Sequence, residues 1–210
     1  DLSRHAVIAR MLKEASAISM PLLIDTHHTY EHSITEIIVC TYDHPGVFSK
    51  IAGAMALSGA NIISAKIFTL KNGLAVDVFH VQDVMGQVFD RPDRLAKMSV
   101  YMEQALAGEL DLSEAFRERK GGFTAPRAAV ALPGQVFIEN DASNIYSVIE
   151  LTGQDRPGFL YQITRAINDL GLTIAAAHIS TYGTQIADVF YVKDMFGMKI
   201  THASRLKQVQ

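Results

Sequence analysis

The hydrophobic positions of the chain form a series of elements that occurs twice. Short runs rich in β-branched residues are typical of strands, and stretches with apolar residues every three to four positions are typical of helices. Each series predicts a strand, a helix, two strands and a second helix. The predicted strands are Glu36–Thr41, Asn61–Leu70, Leu74–Gln82, Tyr146–Leu151, Thr173–Tyr182 and Gln185–Lys193.

The repetition extends to identical residues in register. Asp43–Gly46 (DHPG) recurs 112 residues later as Asp155–Gly158 (DRPG). Further along, Asp77–Phe79 (DVF) matches Asp188–Phe190 at an offset of 111, so one residue is missing from an intervening turn. Matches in register over this length predict two copies of one small domain.

Each Asp-x-Pro-Gly motif is predicted to begin a helix, with its proline at the first helical position, where a missing N–H costs nothing. Gly59 and Gly171 are the predicted C-caps of these helices. Pro92–Leu106 is predicted to be the second helix of the first copy, and the residues from about His202 begin its counterpart.

A fourth strand is needed to complete each sheet, and two segments are available for it. Leu22–His27 precedes the first copy, and Gln135–Asn140 precedes the second. In the usual order the fourth strand follows the second helix, so that Gln135–Asn140 would complete the first copy. In a permuted order each segment forms a hairpin with the strand after it. The permuted order is preferred because it completes both copies.

These patterns predict an α+β protein in which each copy has a four-stranded antiparallel sheet with two helices on one face. Residues 1–20 are expected to form a helix at the tail of a preceding domain. Residues 21–110 form the first copy, 111–133 a linker, and 134–210 a second copy with a truncated final helix. The chain is therefore expected to be a piece of a longer protein.

The composition excludes several classes of partner. Lys and Arg number 19 against 22 Asp and Glu, so the chain has no strong positive field for a nucleic acid or an anionic membrane. No apolar run has the roughly 20 residues of a membrane helix. The single cysteine, Cys40, allows no internal disulfide. A cytoplasmic location is expected, because secreted domains of this size usually carry paired cysteines.

The two Asp-x-Pro-Gly loops are the main candidates for ligand binding. The N–H groups at a helix start attract carboxylates, and a glycine there lets a ligand approach the backbone. Capping of the helix by Asp43 and Asp155 is the competing interpretation. Asn61 could bind an amino-acid ligand through its amide, whereas the second copy has Thr173 at the matching position.

Other polar residues are interpreted as structural. The cluster of His27, His28 and His32 is predicted to be a polar hairpin tip rather than a metal site, because it has no further ligands at a familiar spacing. Asp77 and Asp188 are interpreted as strand residues that are hydrogen-bonded or face solvent. No phosphate loop, Ser-His-Asp set or dinucleotide motif is visible, so no catalytic residue is predicted.

Each copy, with D-x-P-G, an apolar helix and a strand pair, resembles the ACT domain, a βαββαβ ligand-sensing module. The segment from Val148 to Ile200, together with GVFSKIAGAMALSGANIISAKIFT in the first copy, is similar to the tandem ACT region of the bifunctional uridylyltransferase/uridylyl-removing enzyme family. The resemblance covers both copies, their spacing and the PGQVFIENDASN segment between them.

The resemblance implies a regulatory segment that senses glutamine for an enzyme that attaches UMP to the PII nitrogen-regulatory protein and removes it. The catalytic nucleotidyltransferase and hydrolase domains, with their Mg, would lie outside this chain, which itself needs no cofactor. Contact between sheet edges is expected to give a homodimer. The implied ligand-facing residues are Asp43, Gly46, Val47, Asn61 and Ile62 in the first copy and Asp155, Gly158, Phe159, Thr173 and Ile174 in the second.

Two alternatives remain open at this point. The chain could regulate another enzyme of amino-acid metabolism through a different ligand. It could also be a dimerisation module that binds no ligand.

Overall fold

The computed structural model describes residues 2–17, 22–120, 134–156 and 158–209. Six helices and eight strands are present in these ranges, together with a short 3-10 turn at Tyr30–His32. In chain order the elements are α1 (Leu2–Ala15), β1 (Leu22–Thr29), β2 (Ile34–Tyr42), α2 (Val47–Ser58), β3 (Ala60–Thr69), β4 (Leu74–Asp83), α3 (Pro92–Ala107), α4 (Leu112–Lys120), β5 (Gln135–Glu139), β6 (Ser147–Gln154), α5 (Phe159–Asp169), β7 (Leu172–Tyr182), β8 (Gln185–Asp194) and α6 (Ala203–Val209).

The predicted permuted strand order is confirmed. β1 pairs antiparallel with β2, from Leu22 opposite Thr41 to Thr29 opposite Ile34. β5 pairs antiparallel with β6 in the same way, so it does not complete the first copy. A short connection brings each of these strands beside the next one along the chain, as expected for a hairpin. Each copy therefore has four strands, and the strand before its first core strand lies at its outer edge.

The two sheets are joined into one, which the sequence analysis did not predict. The strand order is β1-β2-β4-β3-β7-β8-β6-β5, so β3 and β7 meet at the centre. Their antiparallel contact pairs Ser64 with Ser180, Ala65 with Ile179, and Lys66 with His178. An unpaired sheet edge carries free N–H and C=O groups. Here each copy supplies the missing neighbour for the other, within a single chain.

The main hydrophobic core lies between one face of this sheet and the helices α2, α3 and α5. Side chains from both copies belong to it, including the fully buried Phe79 and Phe190 at matching positions. Because successive strand residues point to opposite faces, the intervening residues of β2 and β4 form a second cluster on the other side. There α1 packs Met11 and Ala15 against the sheet of the first copy.

The helix ends differ in detail from the prediction. Gly59 caps α2 in the left-handed conformation at φ 88°, as expected. Helix α5 ends at Asp169 with Leu170 as its cap, so the cap lies one residue before the predicted Gly171. Helix α2 begins at Val47 with Gly46 as N-cap, and Pro45 therefore precedes the helix instead of opening it. Pro157 and the linker residues 121–133 lie outside the described residues.

Candidate functional site

The first Asp-x-Pro-Gly loop connects β2 to α2 at the junction of the two copies. The N–H of Asp43 donates to the carbonyl of Gly73 over 2.8 Å, and the N–H of Val47 donates to that of His44 over 3.0 Å. Gly46 has a φ of 82°, a conformation that favours glycine. The first N–H groups of an α-helix have no partners within the helix, and in α2 the N–H of Val47 is satisfied by the loop carbonyl of His44.

Asp43 does not cap α2, so the capping interpretation is wrong for this loop. Helix α2 has no side-chain cap hydrogen bond. The Asp43 carboxylate instead accepts a hydrogen bond from the hydroxyl of Thr69 on β3, with an Oγ1–Oδ2 distance of 3.0 Å. This contact fixes the acidic side chain over the sheet and leaves the start of α2 without a negative group of its own.

A small open cleft lies in front of this loop. One wall is the loop itself, with Asp43, Gly46 and Val47. The opposite wall comes from the second copy. It consists of Thr164 and Asn168 on α5 and Leu172, Thr173 and Ile174 on β7. The cleft is therefore a composite of both copies, and we refer to it as the first cleft.

Asn61 and Ile62 do not line the first cleft. The Asn61 amide lies close enough to Asp155, the acidic residue of the second loop, to lower the pKa of that carboxyl group. Ile62 is buried in the main core. Each loop thus faces the second strand of the other copy: Asp43 lies with Thr173, and Asp155 lies with Asn61. The residues of each copy were expected to form one site together, but the antiparallel β3–β7 pairing exchanges the partners between the copies.

The second loop repeats the local geometry of the first. The N–H of Asp155 donates to the carbonyl of Thr184 over 2.9 Å, and Gly158 has a φ of 77°. Partial burial raises the pKa of Asp155, and the Arg156 main chain and the Asn61 amide oppose this rise. The Arg156 guanidinium lies 5.2 Å from the centre of the Phe159 ring. Asp155, Gly158 and Phe159 therefore form a second, distinct group with Asn61.

A buried carboxyl group lies in the middle of each copy, where the sequence analysis expected hydrogen-bonded or solvent-facing residues. Asp77 is 1% exposed, and neither of its carboxylate oxygens has a hydrogen-bond partner of ordinary geometry in the described residues. Burial raises the pKa of Asp77 to about 8, and the charge of Asp43 adds to the rise. The solvent-facing interpretation is wrong because Asp77 points, like Phe79, to the face that carries the helices.

Asp188 repeats this arrangement with one difference. It is 2% exposed, and burial raises its pKa to about 7. The main-chain N–H of Ser180 donates to its Oδ1 over 3.2 Å, which favours the charged form and opposes the rise in pKa. Here the hydrogen-bonded interpretation is confirmed. Both acids lie near the loop of their own copy, as the electrostatic effects of Asp43 and Asp155 on their pKa values indicate.

A polar network on the other sheet face of the first copy was missed by the sequence analysis. Ser64 Oγ lies 2.7 Å from His80 Nδ1, and His80 Nε2 lies 3.1 Å from Glu36 Oε2. Arg4 of α1 forms a salt bridge with the buried Glu36 carboxylate. The order serine, histidine, carboxylate occurs in hydrolases, but here the arginine neutralises the acid and α1 covers the sheet face. The network therefore anchors α1 to the sheet.

The remaining polar candidates have structural environments. His28 Nδ1 lies 3.0 Å from the hydroxyl of Thr35, across the β1–β2 hairpin. His178 is exposed on the face of β7, and its ring lies edge-on to Tyr191. Among the described residues no group of three or more His, Cys, Asp or Glu side chains is placed to hold a metal ion. None of the described helices has the length and apolar character that crossing a membrane requires.

Two models of known protein families match the two copies. The model of the ACT domain matches residues 35–87, and that of the ACR family N-terminal ACT domain matches residues 143–210. A solved structure of aspartate kinase from Synechocystis is similar at a TM-score of 0.39 and 19% identity, covering 77% of this chain and 24% of that one.

Curated relatives extend the similarity to the whole chain. The bifunctional uridylyltransferase/uridylyl-removing enzyme of Rhodospirillum rubrum is 41% identical over all 210 residues, and that of Azospirillum brasilense is 44% identical over 203 residues, or 96% of the chain. The chain spans 22% of the length of each of these relatives. It therefore contains two ACT domains and is similar along its whole length to a segment of bifunctional uridylyltransferase/uridylyl-removing enzymes.

Proposed function

We propose that the chain is a regulatory sensor of glutamine and that its first cleft is the ligand site. The observation that carries the proposal is the composite cleft, in which the loop at the start of α2 faces polar side chains of the other copy. The names of the relatives support the regulatory context, because they describe enzymes that attach and remove uridylyl groups.

The chemistry of the cleft suits a free amino acid. The start of α2 attracts the ligand carboxylate through its N–H groups and the positive end of the helix dipole. Asp43 supplies a negative group for the ligand ammonium. Asn168 and Thr173 supply donors and acceptors for a side-chain amide, which needs both. The absence of a side chain at Gly46 leaves the backbone accessible.

A ligand in this position bridges the two copies. It contacts the loop of one copy and α5 and β7 of the other, so it stabilises the arrangement in which these walls are close together. A ligand changes activity only when it binds one arrangement better than another. The β3–β7 junction is the part of the structure on which such a preference acts.

In the longer enzyme, the regulated reaction is the attachment of UMP to the PII protein and its removal. The catalytic domains of the same chain, with Mg as their cofactor, carry out this chemistry in the cytoplasm. Edges β3 and β7 are already paired within the chain, so a homodimer formed through sheet edges uses the outer strands β1 or β5.

Calorimetric titration with glutamine, and with glutamate and serine for comparison, tests the proposal. Selective binding of glutamine is expected, and Asn168→Ala should weaken it at least about tenfold by removing one hydrogen-bonding wall. Asn144→Ala, on an exposed loop, is the matched control and should bind as the unmodified chain does. Equal heats for glutamine and serine, or no heat at millimolar ligand, would contradict the assignment.

A further inference from the structure

Helix α4 connects the two copies and is held firmly at its beginning. The carboxylate of Asp111 accepts hydrogen bonds from the N–H groups of Ser113 and Glu114, at 2.8 and 3.1 Å. Leu112 packs onto α2 at Gly53, where a Cβ atom would lie only 2.8 Å from Leu112 Cδ1. A side chain at residue 53 would therefore push α4 away, and the glycine permits the close approach.

Helix α4 also contacts α5 of the second copy. The ring of Phe116 stacks on Tyr161 with 5.1 Å between the ring centres. Ser113 Oγ lies 3.0 Å from the Tyr161 hydroxyl, and the Arg165 guanidinium donates to both hydroxyl groups. These contacts place α4 across α2 and α5 together, beside the start of α5.

The position of Phe116 relative to the second loop is the decisive feature. A Cβ atom built on Gly158 would lie 3.1 Å from Cε1 of the Phe116 ring. At the matching place in the first copy, a Cβ atom on Gly46 would lie 3.5 Å from the amide of Asn168, which lines the first cleft. The Phe116 ring of α4 therefore lies at the second loop, whereas the polar residue Asn168 lies at the matching position of the first loop.

We infer that α4 competes with ligand for the second loop, so that Phe116 must move away before an amino acid can bind at Gly158. This inference rests on the proposed function and adds to it that the two sites of one chain are unequal. A ligand at the second loop must displace the Phe116–Tyr161 stack and bind beside Asn61 and Asp155. Ligand binding at the second loop is thereby linked to the position of α4, the helix that connects the two copies.

Phe116→Ala tests the inference by calorimetric titration with glutamine. The unmodified chain is expected to bind one glutamine per chain, and the variant two, because the second loop is uncovered. Phe116→Tyr keeps the ring and should retain one site. Tyr101→Ala is the matched control, since it removes a ring from the edge of the same cluster without facing Gly158. One site in all four proteins would overturn the inference and leave the proposed function intact.

Hydrogen–deuterium exchange in the absence of ligand separates this inference from the proposed function. Amides of residues 159–161 should exchange about tenfold faster in Phe116→Ala than in the unmodified chain, because the start of α5 loses its cover. Circular dichroism confirms that the variant remains folded. Unchanged exchange in a folded variant would overturn the inference, even if glutamine binds. Faster exchange without any glutamine binding would support the α4 contact and contradict the proposed ligand.

Discussion

The first copy has helices on both faces of its sheet, whereas no described helix packs on the outer face of the second. On the outer face of the first copy, a chain of hydrogen bonds beneath α1 links Arg4, Glu36, His80 and Ser64. The matching residues of the second copy are Val148, Tyr191 and Ala176. There the Tyr191 ring lies edge-on to its neighbours Tyr146 and His178, and His178 is exposed.

For the two Asp-x-Pro-Gly loops, the second copy is the one that an additional helix covers. The first faces an open cleft with polar walls, and the second is covered by Phe116. Each difference arises from an element outside the repeated unit, α1 in one case and α4 in the other. The two copies therefore share one framework, and α1 and α4, which lie outside the repeated unit, make them unequal. Four sets of variants test how far this account holds.

The largest expected loss of stability concerns what the copies share. Phe79→Ala and Phe190→Ala should each lower the free energy of unfolding by about 4 kcal/mol, because both rings are fully buried in the common core. Urea denaturation followed by circular dichroism measures the loss. Phe137→Ala, on a half-exposed ring, is the control and should cost far less. Two separate transitions would show that the copies unfold independently and would break the comparison.

Asp77→Asn sharpens the comparison of the buried acids. Burial raises the pKa of Asp77 to about 8, so the folded state holds a proton that the unfolded chain releases above about pH 4. The stability due to this group is complete below that pH and is lost as the pH rises toward 8. The variant should remove this decline, which amounts to about 5 kcal/mol between pH 4 and pH 8 at about 1.36 kcal/mol for each pKa unit.

Urea denaturation of both proteins at pH 5 and pH 8 provides the measurement. Asp188→Asn should remove a smaller decline, because its pKa of about 7 is closer to the ordinary value and Ser180 donates to its carboxylate. An unchanged pH dependence in Asp77→Asn would show that this carboxyl group is charged in the folded protein.

Glu36→Ala should loosen α1, a feature that only the first copy has. The change leaves Arg4 and His80 without their shared acid and should lower the free energy of unfolding by about 2 kcal/mol. Limited trypsin digestion should cleave at Arg10 or Lys13 faster than in the unmodified chain. Glu150→Ala, on an exposed site of β6, is the matched control. Equal cleavage rates in all three proteins would argue against the anchoring role.

The smallest effect is expected at two exposed turns that the copies share. Asp83 and Asp194 each accept two main-chain hydrogen bonds within their turn, and the turns hold Met85 and Phe196 out to solvent. Met85→Ser and Phe196→Ser should change the free energy of unfolding by no more than about 0.5 kcal/mol. Thermal unfolding measures both. A larger loss of stability in only one of the two variants would show that the substituted side chain packs against the rest of the protein.

Local features of this fold were predictable from residues close together in the chain. The Asn72-Gly73 pair gives the expected hairpin, with Gly73 at a φ of 81°. The runs Leu22–His27 and Gln135–Asn140 predicted the extra strands, and the need to complete both sheets gave the correct pairing. Turns and hairpins can be predicted from a single sequence because they depend on residues only a few positions apart.

The candidate site was predictable only in part. The residue types at the two loops indicated an anion site, but their grouping depended on which strand edges meet. The Ser64–His80–Glu36 network could not be predicted from the sequence, because its members come from three different strands. Only the register between these strands brings the three side chains together. The burial of Asp77 was missed because a single acidic residue does not reveal which face of its strand is covered.

The sequence by itself determined the duplication, the elements of each copy, their permuted order and the two loops, because repeats and periodicity are local properties of the chain. Only the tertiary structure decided that β3 and β7 join the sheets, that each loop faces the other copy, and that α1 and α4 make the copies unequal. These features depend on contacts between residues far apart in the chain. The free edges and apolar faces that make such contacts can each accept more than one partner.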